Sequence, residues 1–158
     1  MAEGGKGGAE GGTPVIRRAT EEDWPRILTI LKFANYHHIG GSEMESFPLE
    51  DCFVAEVGGV VAGVAGYRIL TDREAKTTLM VVDPAFRSLG LGIYLQKARM
   101  DFLRARGIEF LTTNCDDPKV MDWYARHFGY APTGAKVPKT ESFGLDHVSE
   151  WTTIRCRL

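Results

Sequence analysis

Val82-Asp83-Pro84-Ala85-Phe86-Arg87-Ser88-Leu89-Gly90-Leu91-Gly92 is the stretch on which the reading of this chain turns. Before it, Ala75 to Val82 is an apolar, β-branched run that stops at Asp83-Pro84, because proline supplies no N–H to continue a strand ladder. After it, from about Leu89 to Arg106, Leu91, Leu95, Ala98 and Phe102 fall on one helical stripe, and Gly107 is placed to cap the helix end. The stretch therefore reads as a strand turning abruptly into a helix. The first N–H groups of such a helix have no intrahelical acceptor, and its dipole places partial positive charge on them. Gly90 and Gly92 carry no β-carbon to keep an anion at a distance, and Arg87 adds a charge-assisted donor. The arrangement suits a diphosphate. On the glycines alone, a tight turn with no ligand explains the pattern equally well.

Two familiar phosphate motifs are tested by the same residues. A P-loop requires Gly-Lys-Ser/Thr, whereas Gly92 is followed by Ile93-Tyr94. A dinucleotide fingerprint requires a third glycine or alanine where Leu95 stands, and normally lies near the start of its domain.

Outward from the turn, the remaining elements follow. Pro14 to Arg18 reads as a short strand. Thr20 is a helix N-cap with Glu21, Glu22 and Asp23 in the first turn, followed by apolar residues at Trp24, Ile27, Leu28, Leu31 and Ala34. Asn35 to Glu50 has no sustained period and reads as a loop. Cys52 to Val57 and Val60 to Leu70 form an antiparallel pair across the tight turn Gly58-Gly59. Ile108 to Thr113 is a strand, Pro118 to Phe128 a helix with Asp117 as N-cap, and a last strand falls within Glu150 to Leu158. This order predicts an α/β (α+β) domain: a mixed sheet covered by helices.

The 158 residues, 44% hydrophobic, are sufficient for one domain over residues 13–158. Residues 1–12, MAEGGKGGAEGG, have too little apolar surface to offset their ordering entropy and read as a disordered tail. With 19 basic and 21 acidic residues, net charge gives no reason to expect nucleic acid or an anionic membrane as partner. Cys52, Cys115 and Cys156 are odd in number and lack metal-ligand spacing, so neither a disulfide framework nor a metal is expected. No apolar run reaches the length of a membrane span or signal peptide, and the expected location is cytoplasmic.

The quoted stretch closely resembles the cofactor signature of the GNAT superfamily of acyl-CoA-dependent N-acyltransferases, Arg/Gln-x-x-Gly-x-Gly/Ala following a strand and Val-x-Pro. The strand Ile108 to Thr113, the helix bearing Trp123-Tyr124, and Phe128-Gly129-Tyr130 resemble the second half of that family in the same order. The resemblance implies a mostly antiparallel central sheet, splayed at the cofactor site, with helices on both faces. It implies acetyl-CoA as acyl donor and direct attack on its thioester by an amine of a small molecule or protein. Met80, Val81 and Val82 match the positions whose backbone binds pantetheine. Arg87, Ser88, Leu89, Gly90, Leu91, Gly92 and Ile93 match the pyrophosphate turn. Tyr124 matches a tyrosine that protonates the leaving thiolate, though it stands five residues before Gly129 where four is commoner. Asn114 is chosen over Asp117 for a pantetheine contact, because Asp117 before Pro118 is explained as an N-cap.

The general base departs from the pattern: Lys76 stands where several members carry glutamate, and a lysine cannot serve as a carboxylate base. His37, His38, Glu43, Glu45, Asp116 and a water chain remain open for that role. Cys115 raises an acyl-cysteine route, against its reading as a half-buried small residue. Asn35 to Glu50 and Pro138 to His147 are expected to form the acceptor pocket. A non-catalytic acyl-CoA-binding module, a phosphate-binding domain unrelated to CoA, and a homodimer paired through the last strands also stay open.

Overall fold

The computed structural model describes residues 12–34, 48–139, 145 and 147–158. The glycine-rich tail apart from Gly12, and His37, His38, Glu43, Glu45, Phe47 and Phe143, lie outside the described residues. Among the described residues seven strands, β1 (Val15–Arg18), β2 (Cys52–Val57), β3 (Val60–Ile69), β4 (Glu74–Val82), β5 (Phe110–Cys115), β6 (Ala131–Pro138) and β7 (Glu150–Arg157), form one sheet in the order β1-β2-β3-β4-β5-β7-β6. Every neighbouring pair is antiparallel except β4 and β5, which run parallel.

The sheet is covered on both faces because its central strands alternate two sets of apolar side chains. On one face Cys52, Val54, Val64, Leu79 and Val81 pack with Ile27, Ile30 and Leu31 of helix α1 (Trp24–Leu31). On the other, Phe53, Ala55, Val57, Ala62 and Ala65 pack with Leu91, Leu95 and Leu103 of α2 (Leu91–Ala105) and with Tyr124 of α3 (Pro118–Phe128). The mixed fold with helices on both faces is as the sequence predicted.

Three features differ from the expectation. Strand β6 falls where no strand was expected: it holds Pro132, Gly134 and Pro138, and all its residues are exposed. An edge strand with no buried face leaves no apolar alternation in the sequence, and prolines are tolerated there. Between β4 and α2 the chain makes a 3-10 helix, Pro84–Leu89, so α2 begins at Leu91. The buried stripe of α2 also includes Gln96 and Arg99, both fully buried, where apolar periodicity had placed Ala98 and Phe102.

The start of α1 is held by Asp23, whose carboxylate accepts from both terminal nitrogens of Arg17, at 2.8 and 2.9 Å, and from the Thr20 backbone N–H at 2.8 Å. The Arg17 hydrogen bonds foremost hold the Asp23 carboxyl at about 2, below its ordinary 3.8. A depressed folded-state value stabilises the fold above the unfolded value and is lost as pH falls through the folded one. The stability difference between wild type and Asp23→Asn is therefore expected to be constant above pH 3.8 and to close towards pH 2, as read by urea unfolding at stepped pH.

Candidate active site

The parallel pairing of β4 with β5 ends at Lys76 and Thr112, and beyond these residues the strands separate. The break coincides with a bulge in β4, where the register against β3 skips Thr78 between Gly66↔Leu79 and Tyr67↔Thr77. An extra residue bends its strand and increases the local twist. Gly66 accommodates this bulge, since a β-carbon there would lie 2.4 Å from Thr78 Oγ1. Thr78 Oγ1 is the one buried side-chain polar atom among the described residues without a partner, a cost of about 1–3 kcal/mol carried by the bend. At the root of the opening, Thr77 Oγ1 donates to Thr113 Oγ1 at 2.9 Å.

The separation opens a cleft of about 630 Å³. Asp83 N–H bonds Ala62 C=O at 2.8 Å, and ladder alternation from that pair gives the backbone groups of Val81 to β3 and turns those of Met80 and Val82 towards the opening. Met80, Val82, Arg87, Gly90, Leu91, Gly92, Ile93, Asn114 and Tyr124 all line the cleft. The Val81 side chain instead enters the core beneath α1, Leu89 packs against the opposite core, and Ser88 is exposed, so these three do not line it.

At one end of the cleft Gly90 is the N-cap of α2 with φ 69°, a left-handed conformation that only glycine adopts without strain. It sets the helix start so that the N–H groups of Leu91 and Gly92 find no acceptor within the described chain, while that of Ile93 reaches Gly90 C=O at 3.1 Å. The turn itself is pinned from behind. Asp83 accepts from the Ala85 N–H at 2.9 Å and pairs with Arg26 of α1, whose Nε donates to Val61 C=O at 2.8 Å. Of the charged residues lining the cleft, Lys76, Arg87 and Lys119 are cationic, and Asp116 is the single carboxylate among the described ones. Half-buried Asp116 pairs with Lys139, and the oxygen that accepts from Lys139 Nζ also accepts from the Leu145 N–H at 2.7 Å, so it clips the chain after β6. Among the described residues the lining thus carries more cations than carboxylates, in a chain whose net charge is −2.

The facing wall is β5 and α3. Asp117 caps α3 by accepting from the Lys119 N–H at 2.9 Å, as the sequence predicted. Asn114 Oδ1 accepts from Thr153 Oγ1 of β7 at 2.7 Å. Cys115 borders the cleft, but burial pushes its thiol up to about 12, leaving no thiolate at neutral pH. Trp123 covers the first turn of α2, its ring 3.4 Å from where a Gly92 β-carbon would stand. Tyr124 is 4% exposed, and burial raises its hydroxyl above the ordinary 10 against a lowering by nearby Arg99, so it is protonated at neutral pH.

The model of the acetyltransferase (GNAT) family matches residues 15–130. The chain belongs to the GNAT acetyltransferase family. Solved structures show the same fold at low identity. Ard1 from Thermoplasma volcanium is 21% identical over 92% of this chain and 97% of its own, with a TM-score of 0.70. The ribosomal-protein-S18-alanine N-acetyltransferase from Escherichia coli is 19% identical over 92% and 94%, with a TM-score of 0.69. YncA from Salmonella typhimurium, solved with its cofactor acetyl-CoA, is 20% identical over 92% and 94%, also with a TM-score of 0.69. No curated protein sequence matches the chain significantly.

Within this GNAT domain the sequence reading passed over Gln96 and Arg99, which reach the cleft wall from behind. Arg99 Nη1 donates to Gly66 C=O and Leu79 C=O, each at 2.9 Å, the cross-strand pair next to the bulge. Its Nε donates to Gln96 Oε1 at 3.1 Å, its Nη2 to the same oxygen, and Nη2 also to the Tyr124 hydroxyl at 3.3 Å. Gln96 Nε2 in turn donates to the Tyr130 hydroxyl at 2.9 Å. Leu91, Leu95, Arg99 and Leu103 recur at intervals of four. The available signal was thus a cation at a position where the helical period demands a buried residue.

Proposed function

We propose that the protein is an N-acetyltransferase that binds acetyl-CoA in the cleft between β4 and β5 and passes the acetyl group directly to a primary amine of a small molecule or protein. The observation that carries this reading is one continuous opening: unpaired strand backbone, a left-handed glycine with free helix N–H groups at one end, and a buried tyrosine on the facing wall. The pantetheine pairs with Met80 and Val82 as an added strand. The pyrophosphate takes the N–H groups of Leu91 and Gly92, with Arg87 beside it. The other residues of the 87–93 turn shape the cradle, and Asn114 borders the pantetheine.

In the reaction a neutral amine adds to the thioester carbonyl, forming the C–N bond and a tetrahedral oxyanion. As the C–S bond breaks, the Tyr124 hydroxyl gives its proton to the thiolate and is reprotonated from solvent. The amine proton passes to water or to one of His37, His38, Glu43 and Glu45, since Asp116 is committed to Lys139 and Lys76 is not a carboxylate. Alignment of amine and thioester supplies much of the rate. Thiol release from acetyl-CoA, followed with a thiol reagent across a panel of small amines and peptides with N-terminal alanine, tests the proposal. Release that depends on one acceptor class is expected. CoA binding without release on any acceptor would replace the enzyme with a binding module.

A further inference from the structure

We propose that Arg99 is a positioning residue of the transfer reaction: its buried guanidinium, bonded to the Tyr124 hydroxyl oxygen, aims the tyrosine's proton at the departing CoA sulfur. The inference rests on the reading of Tyr124 as the acid and extends it to a residue that touches neither substrate.

Three observations carry it. First, Arg99 is fully buried, and among the described residues no carboxylate is paired with it. A guanidinium has five N–H donors and no acceptor. Here they serve Gly66 C=O, Leu79 C=O, Gln96 Oε1 twice and, from Nη2, the Tyr124 hydroxyl, with Met80 Sδ a longer contact of the same nitrogen at 3.9 Å. Hydrogen bonding is complete, yet every acceptor is neutral and the positive charge stays uncompensated. Burying such a charge is costly, and an apolar residue of similar volume would pack the same stripe of α2 without that cost.

Second, the direction of the hydrogen bond is fixed. A guanidinium can only donate, so the Tyr124 oxygen accepts, at 3.3 Å. The hydroxyl's own proton has no acceptor among the described residues and is left for the cleft that Tyr124 borders. With a neutral acceptor in place of Arg99, the same proton would be drawn back into the core.

Third, among the described residues Arg99 is the one formal charge in the titratable groups facing Tyr124. The others are Tyr130, Cys115 of β5 and Cys156 of β7, all kept protonated by burial. In a water-poor interior a fixed cation favours the partly ionised oxygen that forms as the proton moves to sulfur. The same guanidinium holds both carbonyls of the Gly66–Leu79 pair next to the bulge, so strand separation and acid orientation share one support.

The test is a double-mutant cycle of Arg99→Lys, Tyr124→Phe and their combination. It is read as turnover of acetyl-CoA with the best amine of the panel above, or with water where no amine reacts, together with KM for acetyl-CoA and thermal midpoints. Arg99→Lys keeps a cation but cannot make five fixed bonds. It is expected to lower kcat about tenfold with KM changed less than about twofold, and to change kcat less than about twofold when Tyr124→Phe is already present. Losses that multiply, or a kcat loss matched by a rise in KM, would make Arg99 only a prop of the bulge and overturn the proposal. If Arg99→Lys does not fold, Gln96→Leu, which frees the guanidinium's second anchor, is put through the same cycle with the same two outcomes. No loss from Tyr124→Phe alone would instead remove the tyrosine from the mechanism, a separate failure.

Discussion

Tyr124→Phe lowers kcat about 10²- to 10⁴-fold, the range for loss of a positioned general acid, while the Kd for CoA changes by less than about twofold. The contrast follows from where the hydroxyl sits. Tyr124 is packed by Tyr130 at 4.8 Å and Trp123 at 5.0 Å between ring centroids, and phenylalanine fills the same volume. The wall of the cleft is preserved and only the proton is removed. Stability should fall modestly, by about 1 kcal/mol, because one N–H of the Arg99 guanidinium loses its acceptor. Steady-state kinetics and calorimetric CoA titration on the same preparation separate the two effects. Equal turnover in the variant would show that the thiolate leaves without help from this residue.

Gly90→Val weakens CoA binding by at least about tenfold and leaves Tyr124 and the core untouched. At φ 69° a β-branched residue is strained by roughly 1–2 kcal/mol or more, and the chain relieves this by turning Gly90 out of the left-handed region. That rotation re-aims the N–H groups of Leu91 and Gly92, which make no other bond within the described chain. A diphosphate bound by those groups loses its cradle, and about 1.4 kcal/mol is already a factor of ten. No atom lies within 4 Å of a β-carbon at Gly90, so the effect comes from the backbone and not from a clash. Calorimetric titration with CoA reads the change directly.

The elements legible in the sequence were those marked by sustained apolar runs or by local turn and cap rules. The hairpin at Gly58-Gly59 needs positive φ at both positions and has it, at 58° and 82°. The proline stop, the Asp117 cap and the apolar runs of β2 and β3, which the fold buries on both faces, are likewise local signals that the fold obeys. Strand β6 was hidden because it buries nothing and contains two prolines. The convergence of the β4 edge, the α2 start and Tyr124 on one cleft could be anticipated only through a family resemblance, since residues 80 and 124 are joined by topology and not by sequence spacing.

Arg99 was missed for a different reason. Periodicity arguments count apolar residues, and an arginine is assumed to face water. Here an apolar stripe is interrupted by a pair of polar residues that bond the backbone of β3 and β4 and a tyrosine of α3. Such a breach of the packing rule is where a functional constraint is expected.

A crystal structure of the protein with CoA tests the central claim most directly. The account predicts pantetheine lying along Met80 and Val82, the pyrophosphate on the N–H groups of Leu91 and Gly92, and the sulfur within hydrogen-bonding reach of the Tyr124 hydroxyl. CoA bound outside the opening between β4 and β5, or with its sulfur directed away from Tyr124, would contradict it.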